Sequence, residues 1–146
     1  MFIATGFGSG YLPKAPGTWG SLVGVALWFG LRNLAVLPYL GVTAALFVVG
    51  TLCAGSAEKI VDRADPGLVV VDEIVGQLLA LLAAPHHPVA ALLGFLIFRL
   101  FDILKPFPAN WLDGHIHGGL GIMLDDVVAG LYSLLLLQLI WRYIWP

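Results

Sequence analysis

The sequence predicts an all-α fold: a polytopic membrane bundle of about five helices, with its polar motifs gathered at one face. Three observations predict it. Hydrophobic residues make up 60% of the 146 residues and charged residues 11%, against roughly 45–50% and about 25% in soluble domains. The mean hydropathy is +0.94. The charges leave long uncharged gaps between Lys14 and Arg32, Arg32 and Glu58, Glu73 and Arg99, and Asp126 and Arg142. The apolar runs are rich in Leu and Ala and do not alternate, which argues against strands. An isolated strand would also leave backbone groups unpaired in lipid. Residues 1–146 read as a single domain.

The first helix is expected over 19–31, with Thr18 placed as its N-cap. The second runs over 34–61, apolar for two-thirds of its length and then amphipathic through Glu58, Lys59, Asp62 and Arg63. The third covers 71–83; Val69-Val70-Val71, after Asp65-Pro66-Gly67, reads as a buried lead into it rather than a strand. Pro85-His86-His87-Pro88 separates it from the fourth, over 89–104. The fifth covers 123–143. A full span needs about 20 residues, which the second and fifth meet. The other three are short and would lean on locally thin bilayer or on polar helix ends.

Five crossings put Lys14, Lys59, Arg63, Arg99 and Lys105 on one side, and Arg32 and Arg142 on the other. The positive-inside rule then places the first side in the cytoplasm. All nine acidic residues fall on that same side. Charge near a membrane is expensive and marks function by default.

Other classes are excluded. A net charge of −2 offers no basic field for nucleic acid. Cys53 is the lone cysteine, so no intramolecular disulfide exists, and it reads as a small buried hydrophobe. Residues 1–14 lack a basic stretch followed by an apolar core, so a signal peptide is not expected and the chain's own helices would insert it. The sequence carries no signal for oligomeric state.

Four groups carry chemistry. Gly6-Phe7-Gly8-Ser9-Gly10 and Pro13-Lys14-Ala15-Pro16-Gly17-Thr18-Trp19-Gly20-Ser21 lead into a helix N-terminus, whose free N–H groups suit a phosphate; an ordinary capped turn fits as well. Asp72-Glu73 opens the third helix, either complementing its dipole or holding a cation between carboxylates that otherwise repel. Arg99, Asp102 and Lys105 form a cation–anion–cation stripe at spacings of three, fit to hold a phosphate or to snorkel. Gly118-Gly119-Leu120-Gly121 leads to Asp125-Asp126. Hard oxygen donors of this kind suit Mg²⁺. His86-His87 falls at the opposite end. No zinc spacing appears around His115 and His117.

These groups, in this order, resemble the phosphatidylglycerophosphatase A family of bacterial membrane phosphatases. The matching stretches are Gly-x-Gly-x-Gly…Pro-Lys-Ala-Pro-Gly-Thr-x-Gly-Ser at 6–21, Asp-x-x-x-Val-x-Asp-Glu-x-x-Gly at 65–76, Phe-Arg-x-Phe-Asp-x-x-Lys-Pro-x-Pro at 98–108 and His-Gly-Gly-x-Gly-x-Met-x-Asp-Asp-x-x-Ala-Gly at 117–130. The resemblance implies Mg²⁺-dependent hydrolysis of phosphatidylglycerophosphate to phosphatidylglycerol and inorganic phosphate, at the cytoplasmic face of the inner membrane. Its expected partners are the phospholipid substrate and the bilayer.

On that reading Asp72, Glu73, Asp125 and Asp126 hold one or two Mg²⁺ ions. Asp72, Asp102, Asp125 and Asp126 are the catalytic candidates, with Asp102 orienting the water or Arg99. Lys14, Arg99 and Lys105 neutralise phosphate, aided by Gly17, Thr18 and Ser21. A water nucleophile and an aspartyl nucleophile both remain open. The sequence lacks a Cys-x5-Arg loop and an Asp-x-Asp-x-Thr/Val motif. Asp113-Gly114 is followed by His115-Ile116-His117, which departs from the CDP-alcohol phosphotransferase pattern. A small cation carrier or channel is the rival of a different class; it would favour acids in mid-span.

Overall fold

The computed structural model describes residues 1–145. Six helices and a short 3₁₀ turn at Ser9–Tyr11 make up the regular structure of the described residues: α1 (Pro16–Leu31), α2 (Val36–Val61), α3 (Val71–Ala80), α4 (Pro88–Leu104), α5 (Ala109–His115) and α6 (Gly118–Tyr143). The all-helical expectation holds, with α5 added between the fourth and last expected helices.

The boundaries moved for local reasons. Helix α1 starts at Pro16, not beyond Thr18. Pro16 has a preset φ and no N–H to satisfy, which suits the first helical position. Lys14 and Ala15 turn the chain into it at φ 62° and 50°. Thr18 is therefore not the N-cap; that position is Ala15, with no side-chain bond. Helix α6 starts five residues earlier than expected, because the glycines are its first turn. A Cβ at Gly119 would lie 1.9 Å from the Thr51 carbonyl oxygen, so glycine there lets α2 and α6 touch backbone to backbone.

Helix α3 ends at Ala80, three residues early. At ten residues it is about 15 Å long, roughly half the hydrocarbon thickness, and cannot cross alone. It is the central helix instead: every residue but Glu73 and Leu79 is buried. The carbonyls beyond its last turns find partners on other helices. The Tyr39 hydroxyl donates to Leu78 O at 2.7 Å, and Gln138 Nε2 donates to Ala83 O at 3.1 Å and Leu82 O at 3.3 Å. Such carbonyls have no water to turn to in a membrane.

Packing around α3 uses small residues. A Cβ on Gly130 of α6 would lie 2.5 Å from Gly76 O. Trp28, Leu78, Leu81, Phe98, Met123 and Leu137 fill the interior. Two helices, α2 and α6, are long and apolar enough to cross a membrane. Only 17% of the apolar window of α2 is buried, and Leu37 and Leu52 point outward.

The two ends differ. At one, His86 Nε2 meets Arg32 O at 2.8 Å, and the His87 ring lies 5.5 Å from Trp141 and 5.9 Å from Trp145. These loops and the end of α6 therefore sit together, as expected. The acids gather at the other end, where α3 and α6 start and α4 finishes.

Candidate active site

The site is built where four helix ends converge. Asp72 and Glu73 occupy the first turn of α3. Asp126 lies about two turns into α6 and is buried. One carboxylate oxygen from each of these three residues lies within 4.8 Å of the others. Asp72 Oδ1, Glu73 Oε2 and Asp126 Oδ2 are buried and have no hydrogen-bond partner. Oxygens crowded this closely repel one another unless a cation lies among them. The donors are all hard carboxylate oxygens, the set that suits Mg²⁺, so the residues fit such an ion.

Arg99 supplies the positive charge beside them. Its guanidinium is ion-paired to Asp102, one turn on in α4. The first turn of α1 lies over it: a Cβ on Gly17 would be 2.3 Å from Glu73 Oε1 and 2.9 Å from an Arg99 terminal nitrogen. Gly17 is thus required by a close approach of backbone to the charged groups. Asp102 lies within Coulombic reach of Glu73 and Asp126.

Asp125 does not join the cluster. A step of one residue turns its side chain about 100° around α6, and it accepts from Lys105 Nζ at 2.6 Å. Lys105 also pairs with Asp113 of α5 at 3.2 Å. Burial works against the lysine charge, but the bonds to Asp125 and Asp113 outweigh it and hold its pKa above the usual lysine range. The sequence grouped Asp125 with the ligand set and Lys105 with the phosphate binders; the structure pairs them with each other.

The remaining expected residues divide. Thr18 is half-buried in the first turn of α1. Ser21 is fully buried and donates to Gly17 O at 2.9 Å, so it supports α1 from within. Lys14 is exposed in the turn before α1. Of the first glycine motif, Gly10 packs against the Leu68 carbonyl, and Ala4 O accepts from the Val70 and Val71 amides. That segment therefore braces the start of α3. Two polar residues at or near the site were not among the expected site residues. Asp113 gave no spacing signal. Gln77, one turn beyond Glu73, was legible as a lone amide in an apolar run.

A cavity of about 250 Å³ is lined by Glu58, Asp65, Asp113 and His117, with Lys105 bonded to its Asp113 wall. Burial and the nearby carboxylates of Asp113 and Glu58 raise the Asp65 pKa, partly offset by Lys105 and Arg63.

Known proteins resemble this chain along its length. The family model for phosphatidylglycerophosphatase A matches residues 2–141. The protein named phosphatidylglycerophosphatase A of Escherichia coli (strain K12) is 40% identical over 147 residues, covering 99% of this chain and 84% of its own. Its namesake in Haemophilus influenzae is 42% identical over 135 residues, covering 91% and 83%. A Bacteroides thetaiotaomicron protein, provisionally named a phosphatidylinositol-3-phosphatase, is 42% identical over 149 residues, covering 94% and 90%. No solved structure matches. A family match spanning the acid cluster, the Arg99–Asp102 pair and the glycine-lined helix contacts leaves one assignment: this chain belongs to the phosphatidylglycerophosphatase A family of phosphatases.

Proposed function

We propose that this protein removes the terminal phosphate of phosphatidylglycerophosphate, using Mg²⁺ held by Asp72, Glu73 and Asp126. The observation that carries the reading is the convergence of three carboxylates, one oxygen of each within 4.8 Å of the others and each with a buried oxygen that lacks a hydrogen-bond partner, beside the Arg99 guanidinium. In the reaction the bond between the terminal phosphorus and the glycerol oxygen breaks. Water supplies a hydroxyl to phosphorus and a proton to the departing alcohol. A bound Mg²⁺ would polarise the phosphate and acidify a coordinated water.

The chain's own groups do the rest. Arg99 offsets phosphate charge, and Asp102 holds its guanidinium in place. The open first turn of α1, kept clear of side chain by Gly17, lets N–H groups face the phosphate. Lys105, paired with Asp125 and Asp113, anchors α5 to α6 and contributes positive potential from beside the site. The acyl chains stay in the bilayer, against the apolar faces of the helices. The active site faces the cytoplasm of a multi-pass inner-membrane protein, a reading supported by the expected charge asymmetry and the clustering of acids at one end.

The test is phosphate release from phosphatidylglycerophosphate by purified protein in detergent, with and without Mg²⁺, with phosphatidylinositol 3-phosphate as competing substrate. Mg²⁺-dependent release is expected, with preference for the glycerol lipid. Asp126→Asn is expected to lower kcat at least a thousandfold, on the order of 4 kcal/mol. Asp125→Asn, which can still accept from Lys105, is expected to lose far less. Equal losses in the two variants would remove the distinction between the two aspartates.

A further inference from the structure

Gln77 is the sole polar residue of α3 beyond the acid pair, and it is fully buried. Neither its amide nitrogen nor its amide oxygen has a hydrogen-bond partner. One turn toward the N-terminus, Glu73 Oε2 is also buried and unpartnered. Residues four apart share a helix face, and helical side chains lean toward the N-terminus, which carries the amide of Gln77 toward the carboxylate of Glu73.

Helix α1 is shaped around both side chains. Gly17 lies against Glu73, and Gly24, two turns on, lies against Gln77; a Cβ there would be 2.8 Å from Gln77 Cβ and 3.0 Å from its Cγ. Ser21 lies between them, its hydroxyl donating to Gly17 O. An amide with no partner in a low-dielectric interior is destabilising, whereas an apolar side chain of the same size is not. A residue serving packing alone would be apolar here.

We propose that Gln77 is a positioning residue for the cation cluster: in the cation-loaded protein its Nε2–H donates to Glu73 Oε2 and keeps the other Glu73 oxygen with Asp72 and Asp126. The proposal rests on the cation reading of the cluster. Outer hydrogen-bond partners of metal ligands typically change metal affinity by about 10–100-fold when removed.

The experiment compares wild type, Gln77→Leu and Gln77→Met in detergent. Thermal unfolding is followed without divalent cation and then across a Mg²⁺ titration. Phosphate release supplies KM for the lipid and the Mg²⁺ concentration for half-maximal rate. Both variants are expected to unfold at or above the wild-type temperature without Mg²⁺. Their apparent Mg²⁺ affinity should weaken about tenfold in both readouts, with KM for the lipid unchanged. Unchanged Mg²⁺ affinity would overturn the proposal and make Gln77 a buried spacer. Lower cation-free stability in both variants would also overturn it, since the amide would then have a structural partner. A wild-type protein with no Mg²⁺-induced thermal shift would sink the cation reading itself, an outcome separate from either of these.

Discussion

Asp125 and Asp126 are adjacent in sequence but face different partners. Asp126 turns into the acid cluster, and Asp125 turns to Lys105. Lys105 is the counter-charge of a carboxylate that is 6% exposed. Removing one member of a buried pair strands the other and typically costs about 3–5 kcal/mol; the partial exposure of Lys105 puts the expectation near the lower end. Lys105→Met should therefore lower the unfolding temperature markedly. Adding Asp125→Asn should recover most of the loss, because the stranded charge is gone. Thermal unfolding of the single and double variants checks this. A double variant no more stable than Lys105→Met would mean that the pair is a surface contact of little weight. The sign with pH follows from the raised lysine pKa. On the alkaline side the lysine's contribution is fully present below the ordinary lysine value of about 10.4 and fades as pH rises through the higher folded-state value.

At the scale of the helix, the first turn of α1 does two things. It packs the helix onto α3, and it leaves a side-chain-free patch over Glu73 and Arg99. Gly17→Ala separates them. The new methyl would collide with the ends of two flexible side chains rather than with backbone, so those ends must swing away. Alanine also favours helix by up to about 1 kcal/mol over glycine. The folded protein should thus keep its stability to within about 1 kcal/mol, while kcat/KM falls at least tenfold, about 1.4 kcal/mol in the barrier. Paired measurements of unfolding and phosphate release decide it; a variant with full activity would show that Glu73 and Arg99 need no fixed placement. Helix α3 makes the complementary point. A ten-residue helix persists because the Tyr39 hydroxyl and the Gln138 amide donate to the carbonyls at and beyond its end and because four neighbouring helices, α1, α2, α4 and α6, cover its sides.

Across the whole molecule, the acid cluster and the Arg99–Asp102 pair lie at one end. The opposite end holds His86, His87, Arg32 and a group of aromatic rings, of the kind that settles at a membrane–water interface. Arg32 lies over the rings of Trp28 and Phe29 at 5.7 and 5.1 Å. His86→Ala should remove one exposed hydrogen bond, worth about 0.5–1.5 kcal/mol, and leave phosphate release unchanged. A large loss of activity with the fold intact would mean that this end takes part in the chemistry. The outward apolar side chains of α2 match a lipid-facing surface.

The sequence by itself determined the helical class and the two long apolar helices, because composition and charge gaps are properties of the chain alone, and the family, because its four motifs stand in order along the chain. It also showed that the acids gather at one end, since charges can only sit where lipid does not surround them. Tertiary structure decided what adjacency in sequence cannot. Asp72, Glu73 and Asp126 meet because α3 and α6 cross closely at Gly76 and Gly130. Asp125 leaves the cluster because one residue is a turn of about 100°. Glycines that looked like ligand loops became backbone packing contacts, Gly119 against the Thr51 carbonyl and Gly10 against that of Leu68. The short α3 became the centre rather than a span, because its length and the partners of its carbonyls are set by the helices around it.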